Sequence, residues 1–272
     1  MSDERIPDIS TRIAHVGYDD SRYCGHSVYR ELAGRETHLG MAALALLGHS
    51  LSADERAVLE DIAVIVIEGD PRIWPLKATR LIASYGRDLC GVAAGTLCTL
   101  DALVGPWFTE GAAELLLRID EANRTDQHGD AGLQALIDDE LACGPRIPGF
   151  GVPFRSRDGR YVTLCRCVEE RGLHERPFWQ LQLAVAESVA RRKASLQPNI
   201  CLAVAAVCLD LGFQPRQIGP LCGVLGSNSF FANAIEGLEQ REPNLLRLPE
   251  SFIDYRGRSA RRSARAEGKD SE

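Results

Sequence analysis

The segment Pro148-Gly149-Phe150-Gly151-Val152-Pro153 brackets an aromatic with two glycines between two prolines. Such a segment is a tight, ordered turn with little steric freedom. A turn of that kind presents a side chain or a backbone N–H to a ligand. The side chain here is Val152, which neither carries a proton nor holds a charge. Cys201, just after Pro198-Asn199-Ile200, has the chemistry that valine lacks. As a thiolate it could be a base or a nucleophile, provided that positive charge lowers its pKa. Arg155, Arg157 and Arg160, in the loop after the turn, are the candidates to supply that charge. The competing role for Cys201 is a small buried hydrophobe on a helix that also carries Val204 and Cys208. Trp107 and Phe108 follow the break Gly105-Pro106; they either stack on a ligand or fill an interface.

The elements that would position these groups read as helices almost throughout. Ser52-Ala53-Asp54-Glu55 predicts a capping box, with Ser52 as N-cap and Glu55 reaching back, opening a helix to about Glu68. Asp70-Pro71 predicts an N-cap followed by proline at the first helical position. Leu76 to Val104 reads as one long helical stretch. Its Gly86, Gly91 and Gly95 amid alanines let another helix approach closely, as a buried pair or a dimer contact. Glu110 to Glu121 and Gly132 to Leu141 are amphipathic segments. Tyr161 to Arg171, Pro177 to Lys193, Asn199 to Leu211 and Pro220 to Leu238 read as four further helices. Residues 258–272, rich in arginine and without an apolar anchor, read as a disordered basic tail.

The composition narrows the classes. A chain of 272 residues with 45% hydrophobic and 25% charged residues can bury a substantial core as one or two domains. The net charge of −7 and the pI near 5.5 argue against general nucleic-acid binding. No apolar run is long enough to cross a bilayer, and Met1-Ser2-Asp3-Glu4-Arg5 is not a signal peptide, so a cytoplasmic protein is expected. The nine cysteines contain no C-x-x-C pair and no metal framework, and read as buried reduced thiols.

Three segments, in order, resemble the citrate synthase superfamily, closest to its short citryl-CoA lyase branch. They are Ala78 to Ser84 with Gly91-Val92-Ala93-Ala94-Gly95 and Gly105-Pro106; Ile147 to Pro153; and Pro198-Asn199-Ile200-Cys201 running to Gly212-Phe213. Arg247-Leu248-Pro249 through Gly257 also looks like that family's C-terminal segment. The resemblance implies an all-α, two-domain fold and a homodimer with active sites between the domains. Residues 1–108 and 201–257 would form the large domain and 109–200 the small one. It implies enolisation of an acyl-CoA thioester by an aspartate and two histidines, with arginines on the substrate carboxylates.

The positions that carry this chemistry differ. Val152 stands where the turn should hold a histidine, Cys201 where an aspartate follows Pro-Asn, and Asp70 at the remaining histidine. Gly226 replaces an expected arginine, and Asn233 falls where a histidine is often found. Asp158-Gly159-Arg160 looks like the family's Asp-Pro-Arg, which makes Arg160 an anion anchor. Lys77 and Arg80 lie on the stretch that resembles the CoA-proximal helix.

Two functions compete, beside the lesser alternative of a true citryl-CoA lyase with its catalytic residues at other positions. One is an enzyme of altered chemistry, with Cys201 and Asp70 as the catalytic pair and Glu68 as fallback carboxylate. Its binding surface would comprise Arg160, Arg155, Trp107, Gly151 and Val152. Its substrate would be a carboxylate, a β-keto compound or an acyl thioester, without a bound cofactor or metal and with CoA thioester only as substrate. The other is a non-catalytic relative that binds a ligand or a partner. No nucleic-acid or membrane partner is expected for either.

Overall fold

A computed structural model describes residues 10–67, 69–85, 88–100, 105–125, 130–144, 147–152, 156–240 and 249–259. The first elements among the described residues are not helices but a three-stranded antiparallel meander: β1 (Ala14–Val16), β2 (Ser21–Tyr23) and β3 (His26–Ser27). The register pairs His15 with Arg22 and Tyr23 with His26. Cys24 (φ 47°) and Gly25 (φ 88°) turn the second hairpin. Two consecutive positive φ values make the turn whose twist matches that of the strands. Strands this short offer too few alternating residues to stand out from a helical background.

Eleven α-helices follow among the described residues, after one π-helical turn at Val28–Leu32. The first, α1 (His38–Leu47), is capped by Thr37, whose hydroxyl accepts from Gly40 N, and ends on Gly48 at φ 82°. The capping box is present on α2 (Ala53–Val66): Glu55 N donates to Ser52 Oγ at 3.3 Å and Ser52 N to Glu55 Oε2 at 2.9 Å. The stretch read as one helix from Leu76 is two, α3 (Trp74–Ser84) and α4 (Asp88–Leu100). Residues 86–87 between them, Gly86 included, and 101–104 lie outside the described residues. Asp70 does not cap α3. Asp70 O and Ile73 N close a turn at 3.0 Å, and the helix starts at Trp74 with Pro75 in its first turn.

Gly91 and Gly95 do what small residues at helical spacing can do. A Cβ at Gly91 would lie 2.5 Å from Thr79 O, and one at Gly95 would strike the Thr79 hydroxyl and come within 2.8 Å of Phe230. The close approach is therefore made inside the chain, between α4, α3 and the last helix.

The remaining helices are α5 (Gly105–Thr125), α6 (Asp130–Cys143), α7 (Gly159–Glu170), α8 (Pro177–Arg192), α9 (Ile200–Asp210), α10 (Pro215–Leu225) and α11 (Ser227–Glu239). The helix expected from Pro220 to Leu238 is thus divided at Gly226. Pro220 sits inside α10, while Pro215 takes its first turn. Every residue of α9 from Ile200 to Leu209 is buried. An all-apolar helix belongs at the centre of a bundle, and α5, α7, α8 and α10 pack around this one. Thr109 lies in the first turn and a half of α5, and Cys201 in the first turn of α9, so the two helix starts meet where the chemistry was expected.

A second layer consists of α3, α4 and α11 packed on one another. Its interior holds Leu76, Thr79, Ala83, Phe230 and Ala234. Gly237 lets α11 touch α3, since a Cβ there would lie 2.9 Å from Arg80 O. The cysteines are free among the described residues. They are not uniformly buried, however, because Cys90 is exposed on α4.

Candidate functional site

The glycine turn is strapped to the lead-in of α9. Phe150 N donates to Ile147 O at 3.1 Å, Gly151 N to Gln197 O at 2.8 Å and Asn199 N to Gly149 O at 2.9 Å. Gly149 has φ 84°, and a Cβ on it would stand 2.8 Å from Leu202 Cβ. That position needs glycine twice, for its backbone and for its space. Val152 follows, only partly buried. Pro153, Phe154 and Arg155, the last expected to bind substrate, lie outside the described residues, as do Glu68 and residues 260–272.

Two side chains saturate the start of α9. Asn199 Oδ1 accepts from Cys201 N at 2.9 Å, and its Nδ2 donates to Gly151 O at 3.1 Å. Asp158, 2% exposed, accepts from Ile200 N at 3.0 Å. The same carboxylate caps α7 through Arg160 N and takes Arg160 Nε and Nη2, each at 3.0 Å. Free N–H groups at a helix start attract anions, but here the protein supplies the acceptors itself. Burial alone would raise the Asp158 carboxyl. The Arg160 hydrogen bond, the Ile200 N–H and the guanidinium charge outweigh it and hold the pKa below the ordinary value.

Cys201 is 8% exposed. Its burial pushes the thiol up, against a hydrogen bond with Thr109 and the charge of Arg160, while Asp158 adds to the rise. Arg160 is therefore near Cys201, as the sequence suggested, yet its charge is compensated by Asp158. The thiol stays protonated at neutral pH and can give or accept a hydrogen bond. Burial pushes the Cys222 thiol on α10 up to about 12, with the nearby Cys201 adding to the rise.

Asp70 belongs to another neighbourhood. Its carboxylate takes Arg72 N and three guanidinium hydrogen bonds, the shortest 2.5 Å, and Arg72 holds its pKa down to about 2. Neither Asp70 nor Cys201 figures among the groups that shift the other. The preceding residue, Gly69, accepts from Asn233 Nδ2 at 3.1 Å. Asn233 Oδ1 in turn accepts from Arg80 at 3.3 Å, and Glu236 pairs with the same guanidinium at 2.5 Å. Asn233 and Arg80 thus tie α3 to α11.

Trp107 is half exposed at the start of α5. It meets Phe108 edge to face, with centroids 5.0 Å apart. Gly226 ends α10 and begins α11, which no long side chain extends.

The structure therefore gathers Gly151, Asn199, Cys201, Thr109, Asp158 and Arg160 around the start of α9 and leaves Asp70 in the α3–α11 layer. Sequence reasoning passed over Thr109 and Asp158. The Asp158-Gly159 step before an apolar helix was an available N-cap signal; Thr109 carried none. A small cavity of about 10 Å³, lined by Val168, Trp179 and Asp210, lies at the other end of α9. There Asp210 caps α8 by accepting from Phe178 N and Trp179 N at 2.9 and 2.8 Å.

The fold is the all-α fold of the citrate synthases and citryl-CoA lyases. Citryl-CoA lyase from Hydrogenobacter thermophilus superposes with a TM-score of 0.77 at 23% identity, over 96% of this chain and 99% of that one. An ATP citrate lyase mutant from Methanosaeta concilii, in complex with (3S)-citryl-CoA, gives 0.72 at 18% identity, over 94% of this chain and 43% of that one. Citrate synthase from Thermoplasma acidophilum, in a ternary complex with carboxymethyl coenzyme A and the oxaloacetate ligand, gives 0.61 at 15% identity, over 84% and 60%. No protein-family profile matches the sequence, and no curated protein sequence matches it.

Proposed function

We propose that this chain binds an acyl-CoA thioester or a small carboxylate at the start of α9, and that C–C bond cleavage or formation is its reaction class. The observation that carries this is the near end-to-end superposition on a citryl-CoA lyase. Residues 1–108 with 201–257 and residues 109–200 act as the two lobes around that site. Val152 and the neutral Cys201 make the cleft drier and less charged, favouring a less anionic substrate than citrate. Arg160, held by Asp158, stands beside that site as its anion anchor.

A non-catalytic ligand-binding protein is the second reading, favoured by the protonated Cys201 and by the engagement of Asp70 with Arg72. Each missing acid–base group costs about 10²- to 10⁴-fold in rate.

A homodimer fits the outer face of the α3–α4–α11 layer. From Leu89 to Leu100, α4 has no charged residue, yet Leu89 (69%) and Leu97 (66%) face solvent. Phe231, Ile235 and Leu238 are likewise exposed on α11, which packs against α4. Exposed apolar side chains on adjoining helices mark an interaction site. No helix among the described residues is long and apolar enough to cross a membrane.

Thermal-shift titration with CoA, acyl-CoAs and small carboxylates tests the binding. Stabilisation by CoA that disappears in Arg160→Ala supports it, and no response to any of these compounds from a folded dimer defeats it. Turnover of a bound thioester that Cys201→Ala abolishes selects the enzyme; binding without turnover selects the second reading.

A further inference from the structure

We propose that Ser195, in the connection from α8 to α9, is a phosphorylation site for a protein kinase that selects basic residues, and that its phosphate takes Arg192 from Asp138. The site lies apart from the start of α9 and stands whether or not a thioester binds there. The last turn of α8 carries Arg191 and Arg192, Lys193 is its C-cap, and Ser195 follows three residues after Arg192. Every residue from Arg191 to Ser195 is exposed, and none up to Asn199 is buried. Lys193, at φ −147° and ψ 81°, turns the chain out of the helix. Beyond it, Leu196 N donates to Lys193 O and Gln197 Nε2 to Ala194 O, both at 2.8 Å. A kinase can draw the serine out of such a turn without opening the core. Cations just before the acceptor are the charge pattern that an acidic kinase groove recognises. In the transfer, Ser195 Oγ attacks the γ-phosphorus of ATP and forms the new O–P bond. The bond to the bridging oxygen breaks, ADP leaves, and the hydroxyl proton passes to the base of the kinase.

The surroundings decide what the phosphate does. Arg192 holds Asp138 through Nε and Nη2 at 2.7 and 2.8 Å, which ties α8 to α6. Arg191 is held within α8 by Glu187 at 3.1 Å. A phosphoserine brings about −1.5 to −2 charge at pH 7 and three acceptor oxygens. Asp138 has a single charge and its side chain is half exposed, so solvent weakens its grip. The guanidinium fork takes a phosphate as readily as a carboxylate. The C-terminal end of α8 repels an anion, which turns the phosphate toward these cations. Gln197, two residues past Ser195, accepts from Gly151 N at 2.8 Å. Phosphorylation therefore loosens α6 and sets a charge beside the strap of the glycine turn.

The test incubates the folded full chain with ATP and the catalytic subunit of a kinase selective for arginine three residues before its acceptor. Phosphate is mapped by mass spectrometry, with Ser195→Ala as the control. Ser195 is expected to take phosphate, and to take it about ten-fold more slowly in Arg192→Ala, with unchanged helical circular dichroism. Amides of α6 should exchange about two- to five-fold faster in the phosphorylated chain, and equally in unphosphorylated Arg192→Ala, because an exposed ion pair contributes no more than that. A folded chain without phosphate on Ser195 overturns the site, even where Ser259 or Ser263 of the basic tail is modified. Phosphate on Ser195 with the exchange of α6 unchanged overturns the transfer of Arg192 from Asp138.

Discussion

The Asn199 side-chain amide joins the glycine turn to α9, donating to Gly151 O at 3.1 Å while its oxygen accepts from Cys201 N at 2.9 Å. The turn that looked built to present a catalytic side chain therefore also holds the start of the central helix. Its two positive-φ glycines need no ligand to explain them.

Asn199→Ala removes the cap and the strap together. A lost N-cap costs about 1 kcal/mol, and leaving Gly151 O without its donor adds about 1 kcal/mol. Urea unfolding should show Asn199→Ala about 2 kcal/mol less stable than the parent. Asn199→Asp keeps the acceptor for Cys201 N and should fall between them. Equal losses for the two variants would mean that the cap contributes nothing.

How much of this was legible follows from the range of each interaction. The capping box at Ser52 and Glu55 and the strap-forming glycines depend on residues a few positions apart, and pattern alone locates them. Asp70 was misplaced because Asp-Pro signals an N-cap only if no closer cation competes, and Arg72 does. Asp158 contacts Ile200 across 42 positions, a pairing that no local pattern announces. The break at Gly226 was missed because apolar periodicity continues on both sides of it. Cys201 stands at the start of α9, as Pro198-Asn199 before an apolar run indicates, but its protonation follows from burial, which spacing does not report.

Asp158 makes the site sensitive to acid. Its folded pKa lies below the ordinary carboxyl value of about 3.9. The group therefore contributes stability that is complete above that value and is lost as pH falls through the folded pKa. Melting temperature in Asp158→Asn should depend less on pH below about pH 5 than in the parent. At pH 7 the variant should be destabilised by about 3 kcal/mol, because Arg160 loses its buried partner. An unchanged acid slope would assign the sensitivity to another carboxyl.

Thiol reactivity should follow exposure and not the expected catalytic role. Cys90 is exposed, whereas Cys201 and Cys208 are buried with raised pKa values. The thiolate is the reacting species. Mass mapping after iodoacetamide treatment of the folded protein at pH 7, diluted until monomeric, should find Cys90 modified first; in the dimer proposed on that face of α4 it is shielded. Cys201 should react at least about 100-fold more slowly, through local opening. Early labelling of Cys201 would show a depressed pKa and revive its role as a nucleophile.

The two glycines of the turn separate backbone strain from packing. Both have positive φ, 84° at Gly149 and 97° at Gly151, so alanine at either costs about 1–2 kcal/mol in backbone energy. At Gly151 the added Cβ meets nothing within 4 Å, whereas at Gly149 it stands 2.8 Å from Leu202 Cβ and 3.2 Å from Leu202 Cα. Leu202 is fully buried on α9 and cannot yield without moving the helix, so overpacking adds about 1–3 kcal/mol. Gly149→Ala should therefore be the less stable variant by that margin in denaturant unfolding. If CoA or a carboxylate binds at the start of α9, Gly149→Ala should weaken it together with stability, since it displaces the helix that carries Cys201. Gly151→Ala should lose stability but largely keep the ligand. A Gly151→Ala variant as destabilised as Gly149→Ala would mean that Leu202 gives way and that the turn is not locked onto the helix.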